Sequence, residues 1–252
     1  MERLALLAVT AHPGDELVVA GTLAHHAQAG VHVALVCATS ATGDGTQAEH
    51  DLRCAGSRLG VAEIHFLGYR PQQPTTGYAS GQESLIHASA CEVIRRIVRL
   101  IRAIRPQVMV TFGPEGIDGH PDHVAIGELA TQACGAAGDR QQFPLEAGAE
   151  LYAPAKLYYF GLPEGVLRLA GVPGRGTQDE AVPAQADVSQ FIDRKVEAAR
   201  CYRAGVEPPL DQLFALPPAE RQHLLAVEYL TLAQPQPGAE DRRDPHLFAG
   251  IP

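Results

Sequence analysis

The chain lacks asparagine altogether, and its basic residues include only two lysines, Lys156 and Lys195. So little lysine argues against the Lys- and Glu-rich composition of hyperthermophilic proteins. The missing asparagine is read as the codon bias of a G+C-rich genome. Long apolar runs are absent too: none approaches the roughly 18 residues that a membrane span needs. The apolar start, MERLALLAVTAHPGDE, is too short for a signal peptide. Positive charge is in deficit, with a formal net charge of −9. Such a chain repels a phosphate backbone, which disfavours nucleic acid as a partner. Its one basic stretch, Arg95 to Arg105, reads as an amphipathic helix with the arginines on the wet side. Cysteine is sparse and odd in number (Cys37, Cys54, Cys91, Cys134, Cys201), without a CxxC. That usage predicts reduced, mostly buried thiols and a cytoplasmic setting. Several motifs are missing as well. There is no GxxxxGK[ST] phosphate loop, and Gly43-Asp44-Gly45 lacks the rest of a dinucleotide fingerprint. Without a GxSxG elbow, a serine hydrolase is disfavoured.

What is present suits a globular protein with a substantial core. Apolar residues make up 46% of 252 positions, enough for one large domain. Leu4–Thr10, Val31–Ala38, Ala62–Leu67 and Val108–Phe112 read as buried strands. Between them, Leu17–Ala29, Gln47–Leu59 and Ser84–Ile104 have helical periodicity, ending at Gly30, Gly60 and Pro106, and His123–Ala137 forms a further helix. This βαβα order predicts an α/β, Rossmann-like, mostly parallel sheet with helices on both faces and right-handed crossovers. Lys156–Gly161 reads as a further strand. Beyond it, residues 162–252 are expected to be an irregular segment, helix and tail packing on a core of 1–161 within a single domain. There, Glu164–Gln185 reads as exposed, Val188–Tyr202 as a helix, Ala219–Val227 as a short helix and Tyr229–Ala233 as a strand. Gln234–Asp244 reads as a polar linker.

Two segments carry the chemistry. Ala11-His12-Pro13-Gly14-Asp15-Glu16 follows the first strand, and Gly119-His120-Pro121-Asp122-His123 lies shortly after the fourth. In a parallel sheet both loops sit at the carboxyl ends of strands, where such folds place ligands. Two histidines and one carboxylate from these loops form a three-ligand metal set, leaving one open position as in catalytic zinc. At a helix start, Asp15 is favoured in the ionised form that a ligand must have. The same donors suit Fe(II) in an oxygenase, but the βαβα pattern provides no all-β barrel for one. The other eight histidines are read as structural or surface residues.

AHPGDE and the intact HPDH at His120–His123 resemble the signatures of the LmbE-like/PIG-L family of metal-dependent N-deacetylases acting on GlcNAc-type sugars. Weaker similarity runs through Thr42–Gly45, Leu59-Gly-Val61, Phe112-Gly-Pro114, Lys195 with Ala198, and Leu247–Ile251. The resemblance implies that His12, Asp15 and His123 bind Zn2+, with Fe2+, Co2+ or Mn2+ able to occupy the same set. It implies that His120 stabilises the oxyanion of the tetrahedral intermediate and that Asp122 orients and charges that imidazole. The implied substrate is a small amino sugar or its conjugate losing an N-acetyl or similar N-acyl group. Relatives often assemble as homo-oligomers, and nothing in this sequence sets a number.

Departures from the family pattern cluster around the same positions. The first Asp of the family's DD pair, its general base, is Gly14 here. Ahead of Leu59, where the family carries an R..E pair, Ala48 stands at the arginine and Asp51 at the acid. Tyr69-Arg70 replaces an Asp after the third strand, and Tyr202 stands where relatives place a His. Three readings follow. Another carboxylate (Asp44, Asp118 or Glu16) acts as the base of a hydrolase with a changed substrate. Alternatively, the chain binds metal and ligand without efficient turnover, or the metal site is vestigial in an assembly protein.

Overall fold

The computed structural model describes residues 3–40, 47–72, 81–145, 150–169, 184–203, 210–235 and 247–251. Strand β1 (Ala5–Thr10) is buried along its whole length, as its uninterrupted apolar run predicts. After it come a 3-10 turn (Asp15–Val19), α1 (Ala20–Gln28), β2 (His32–Thr39), α2 (Gln47–Leu59) and β3 (Glu63–Tyr69). A second 3-10 turn (Leu85–His87) leads to α3 (Ala90–Ile104), β4 (Val108–Phe112), the single turn α4 (Gly116–Gly119), α5 (Pro121–Ala136) and β5 (Lys156–Gly161). The rest comprises α6 (Glu164–Leu169), β6 (Ala184–Asp187), α7 (Ile192–Ala199), α8 (Leu210–Ala215), α9 (Pro218–Leu225) and β7 (Val227–Pro235).

These strands form one seven-stranded sheet in the order β3-β2-β1-β4-β5-β7-β6. From β3 to β5 every pairing is parallel, whereas β7 pairs antiparallel with both β5 and β6. The α/β expectation therefore holds. Helices α1, α2 and α7 pack on one another, and α3 packs on α5. Given right-handed crossovers, these two groups cover opposite faces of the sheet. Chain direction across the sheet reverses between β1 and β4. That switch point places the loops after both strands side by side at one edge.

Two expectations need correcting, at the helix starts and at the thiols. Within residues 162–252 the expected strand at Tyr229–Ala233 is β7, and β6 and β7 extend the core sheet while α8 adds a helix. The four-residue β6, Ala-Gln-Ala-Asp, is too short to show a period-2 pattern. Helices expected at Leu17–Ala29, Ser84–Ile104 and Val188–Tyr202 each begin with non-α backbone, as 3-10 turns at Asp15–Val19, Leu85–His87 and Ser189–Phe191. Finally, the thiols are not all reduced: Cys54 and Cys201 form a disulfide, while Cys37 and Cys134 are free and buried and Cys91 is free and exposed. Gly43–Gly45, residues 170–183 of the Glu164–Gln185 segment and most of Gln234–Asp244 lie outside the described residues. Among the described residues no helix is long and apolar enough to cross a membrane.

Candidate metal centre

Both signature loops emerge at the switch point. The first leaves β1 and turns at Gly14, whose φ of 109° favours glycine. That turn brings the Asp15 carboxylate back under the loop, where its Oδ2 accepts from the backbone N–H of Ala11 (3.0 Å) and His12 (2.7 Å). The other oxygen, Oδ1, lies 3.3 Å from His123 Nε2. The second loop is set by the start of α5. Pro121 occupies the first turn, where its missing N–H costs nothing. His120 caps the helix, with Nδ1 accepting from the Asp122 N–H at 3.1 Å. An acceptor Nδ1 leaves the proton of the neutral ring on Nε2, so His120 is poised as a donor there.

His123 is the most constrained of the site's rings. It stacks on Phe112, with ring centroids 4.3 Å apart. Its Nδ1 faces the Gly116 carbonyl (3.1 Å) and Asp118 Oδ1 (3.4 Å), which leaves Nε2 turned into the site. Gly116 has a φ of 59°, and a Cβ there would come within 2.9 Å of the Val124 nitrogen. The neighbouring Ile117, a β-branched residue at φ 67°, carries backbone strain beside the site. His12 is held in the same manner from the other direction. Its Nε2 lies 3.0 Å from Asp122 Oδ2, and its Nδ1 faces His123 Nε2 at 3.2 Å.

Three groups thus point at one another: His12 Nδ1, His123 Nε2 and the Asp15 carboxylate. Their separations are 3.2 Å between the rings, 3.3 Å from His123 to Asp15, and 3.8 Å from His12 Nδ1 to Asp15 Oδ2. Tetrahedral ligands at zinc bond lengths lie about 3.3 Å apart, so these donors fit a cation of that kind. His120 completes the group: ligand atoms of His12, His120 and His123 all lie within 4.8 Å of one another. The backing partners are also those of a metal site, in which each ligating imidazole gives its far N–H to a carboxylate or carbonyl.

The electrostatics match. Burial alone would raise the Asp15 pKa, but the two imidazoles and the His12 N–H outweigh it and pull it down to about 2. Burial would likewise lower that of His123, yet Asp15 and Asp118 lift it to about 10. Without a cation His123 therefore holds a proton that metal binding must displace. Burial, then the neighbouring rings, lowers the His120 pKa and favours its neutral form. One buried oxygen, Asp122 Oδ1, has no hydrogen-bond partner among the described residues.

Residues 7–134 match the family model described as PIG-L, GlcNAc-PI de-N-acetylase. The chain is 30% identical to a 1D-myo-inositol 2-acetamido-2-deoxy-alpha-D-glucopyranoside deacetylase of Streptomyces griseus, over 98% of this chain and 89% of that one. This chain belongs to the PIG-L family. Solved structures with a similar fold include a conserved protein of Thermus thermophilus, with a TM-score of 0.66, 24% identity and coverage of 92% of this chain and 96% of that one. Another is the N,N'-diacetylchitobiose deacetylase of Pyrococcus horikoshii, with a TM-score of 0.65, 17% identity and coverage of 91% and 83% respectively.

Within this PIG-L site the departures connect to one another. Glu16 is fully buried; its Oε2 accepts from the Gly14 N–H (2.9 Å) and its Oε1 from the Tyr202 hydroxyl (2.6 Å). Burial raises the Glu16 pKa to about 7 despite both bonds. Tyr202 thus supports, through Glu16, the loop that holds His12 and Asp15. Asp51 is equally committed: it is buried and accepts from Gln47 Nε2 (2.7 Å) and the Arg203 N–H (3.3 Å). The Asp122 carboxylate meets His12 and the Gln72 N–H (2.8 Å), while it is the Asp122 backbone amide that holds His120. Sequence reasoning did not find Phe112, Gly116 or Gln72 as supports. A ring one strand-end away and two backbone groups leave no motif to detect.

Proposed function

We propose that this PIG-L chain is a metal-dependent hydrolase that removes an N-acetyl or similar N-acyl group from a small amino sugar or its conjugate. His12, Asp15 and His123 hold the metal. The observation that carries this reading is the triangle of open donors at the switch point, each backed from outside, in a chain 30% identical to a deacetylase of an acetamido sugar. Two nitrogens and one oxygen in this spacing favour Zn2+, and Fe2+, Co2+ or Mn2+ can take the same donors. A bound cation of this kind supplies Lewis-acid polarisation of the scissile carbonyl and of water.

The chain's own residues do the rest. His120 donates from Nε2 to the developing oxyanion, with its tautomer held by the Asp122 amide. Asp122 also fixes the ring of His12, and Asp118 that of His123. Of the candidate substitute bases, Asp118 lies behind His123, Glu16 is bound to Gly14 and Tyr202, and Asp44 lies outside the described residues. General-base help is worth about 10²–10⁴ in rate, so the chain is expected to be slower by that order than relatives with Asp at position 14. Missing base help also supports the second reading, ligand binding without efficient turnover. We place the protein in the cytoplasm, as a homo-oligomer; fractionation and light scattering test these two points.

Acetate release from a panel of N-acetylated amino sugars by metal-loaded protein tests the reading. Turnover that a chelator stops supports the hydrolase. If turnover appears only in Gly14→Asp, the natural chain is a binder. A side chain at a φ of 109° costs about 1–3 kcal/mol of strain, so rates are compared per folded molecule. If neither protein releases acetate while both hold metal, deacetylation of these sugars is excluded.

A further inference from the structure

The Cys54–Cys201 disulfide joins α2 to the residue that ends the α7 segment, closing 147 residues of chain. Cys54 is exposed and Cys201 is buried at 9%. Both line a cavity of about 400 Å³. Its wall carries Arg58, Arg200, Arg203 and His50 against two acids, Asp51 and Glu197. Asp51 is already committed to Gln47 and the Arg203 N–H. On a chain of net charge −9, a concentration of three arginines around a disulfide marks a place suited to an anion that reacts with sulfur.

The bridge also touches the metal loop through its neighbour. Tyr202 follows Cys201 directly, its hydroxyl holds Glu16, and Glu16 holds the Gly14 amide. Opening the bridge removes the covalent restraint on the segment that positions Tyr202.

We propose that Cys54–Cys201 is a thiol-exchange site for a small anionic thiol, docked by the arginine-lined cavity, and that opening it loosens the loop carrying His12 and Asp15. The docked thiolate attacks Sγ of the exposed Cys54. The Cys54–Cys201 bond breaks, its electron pair leaves on Cys201 Sγ in the cavity that Arg200 and Arg203 also line, and a mixed disulfide forms on Cys54. A second thiolate attacks the small-molecule sulfur of that mixed disulfide and releases Cys54 as a thiolate. Two small thiols are oxidised to one disulfide, the protein bridge is reduced, and the two thiol protons pass to the cysteines or to solvent. The bridge thereby reports on the thiol poise around the protein, a use typical of exposed disulfides in reducing compartments.

The test uses the full chain, purified in air, with 2-mercaptoethanesulfonate as the anionic probe and 2-mercaptoethanol as its neutral counterpart. Bridge opening is followed by alkylation and mass spectrometry. The sulfonate is expected to open the bridge about tenfold faster at low salt. That advantage should vanish in Arg58→Glu, an exposed position. In Cys201→Ser, which leaves Cys54 as a free thiol, the symmetric disulfide of the sulfonate should load Cys54 as a mixed disulfide and release one sulfonate thiol, faster than the disulfide of the neutral probe does. Equal rates for both thiols, or five alkylatable cysteines in the untreated protein, would overturn the site. Amide hydrogen exchange over residues 11–17 reads the coupling without reference to metal or turnover. Faster exchange after opening supports it, and unchanged exchange in the fully opened protein overturns it.

Discussion

Two buried clusters of charge in this molecule are built in opposite ways. Lys195 and Glu228, both 2% exposed, satisfy each other from inside: Lys195 Nζ donates to Glu228 Oε1 (2.6 Å) and to the Leu225 carbonyl (3.1 Å). The two Glu228 oxygens also take the N–H groups of Gly21 and Thr22, at 2.7 Å each, in the first turn of α1. This cluster ties β7 and α7 to the core and has both acceptor oxygens filled. At the switch point the partners lie on the outside. Asp118, Gly116 and Asp122 hold the far atoms of the rings, while the near atoms of His12, His123 and Asp15 face one another at 3.2–3.8 Å. A pair satisfied from within is structural. A set held from behind, with its donor atoms facing one another, has the arrangement that the proposed metal centre requires.

Substitutions can break that contrast. The largest effect is expected from His123→Ala, which should abolish metal retention and deacetylation, measured by metal analysis after dialysis and by acetate release. A variant that keeps both would remove His123 from the ligand set. Next comes Glu228→Ala, which strands a buried ammonium and two helix N–H groups. It should cost about 3–5 kcal/mol of stability in denaturant titration while leaving activity per folded molecule near normal. A loss of activity without a loss of stability would mean that the second cluster belongs to the site.

Glu16 lies between the two cases. Its pKa is raised by burial to about 7, above an unfolded value near 4.5. The folded state therefore binds the proton more tightly, and stability falls as pH rises from about 4.5 to about 7, then levels off. That loss amounts to on the order of 3 kcal/mol. Glu16→Gln should flatten the stability profile across this window. A profile that falls just as steeply in the variant would assign the pH dependence to another group. Smallest is Asp118→Asn, which keeps the shape but weakens the charge behind His123. Metal affinity should fall about 10–100-fold, read by competition with a chelator. An unchanged affinity would leave the Gly116 carbonyl as the support that matters.

The parts of this protein legible in its sequence are those governed by local pattern. β1, β2 and β4 announce themselves as apolar runs, α2 as a periodic segment, and the reactive loops as His/Asp/Pro clusters directly after strands. Helix entries were less legible. A 3-10 turn and an α-helix bury the same periodic residues, so Asp15–Val19 and Ala20–Gln28 look like one element. The cysteine pairing was hidden for a different reason. Residues 147 apart along the chain carry no local signal that they will meet.

By itself the sequence determined the α/β class, the identity of the chemical groups and the strand ends from which they project, because hydrophobic periodicity and residue chemistry are local properties. Only the tertiary structure decided which atoms of those groups face inward. The rotations of His12 and His123 depend on Asp122, Asp118 and the Gly116 carbonyl, and the loop's footing depends on Glu16 and Tyr202, 186 residues apart. Asp122 reaches His12 and Tyr202 reaches Glu16 by packing across the sheet edge, where no sequence window contains both sides, and Gly116 and Asp118, though near His123 in sequence, act through a backbone turn that residue identity does not announce.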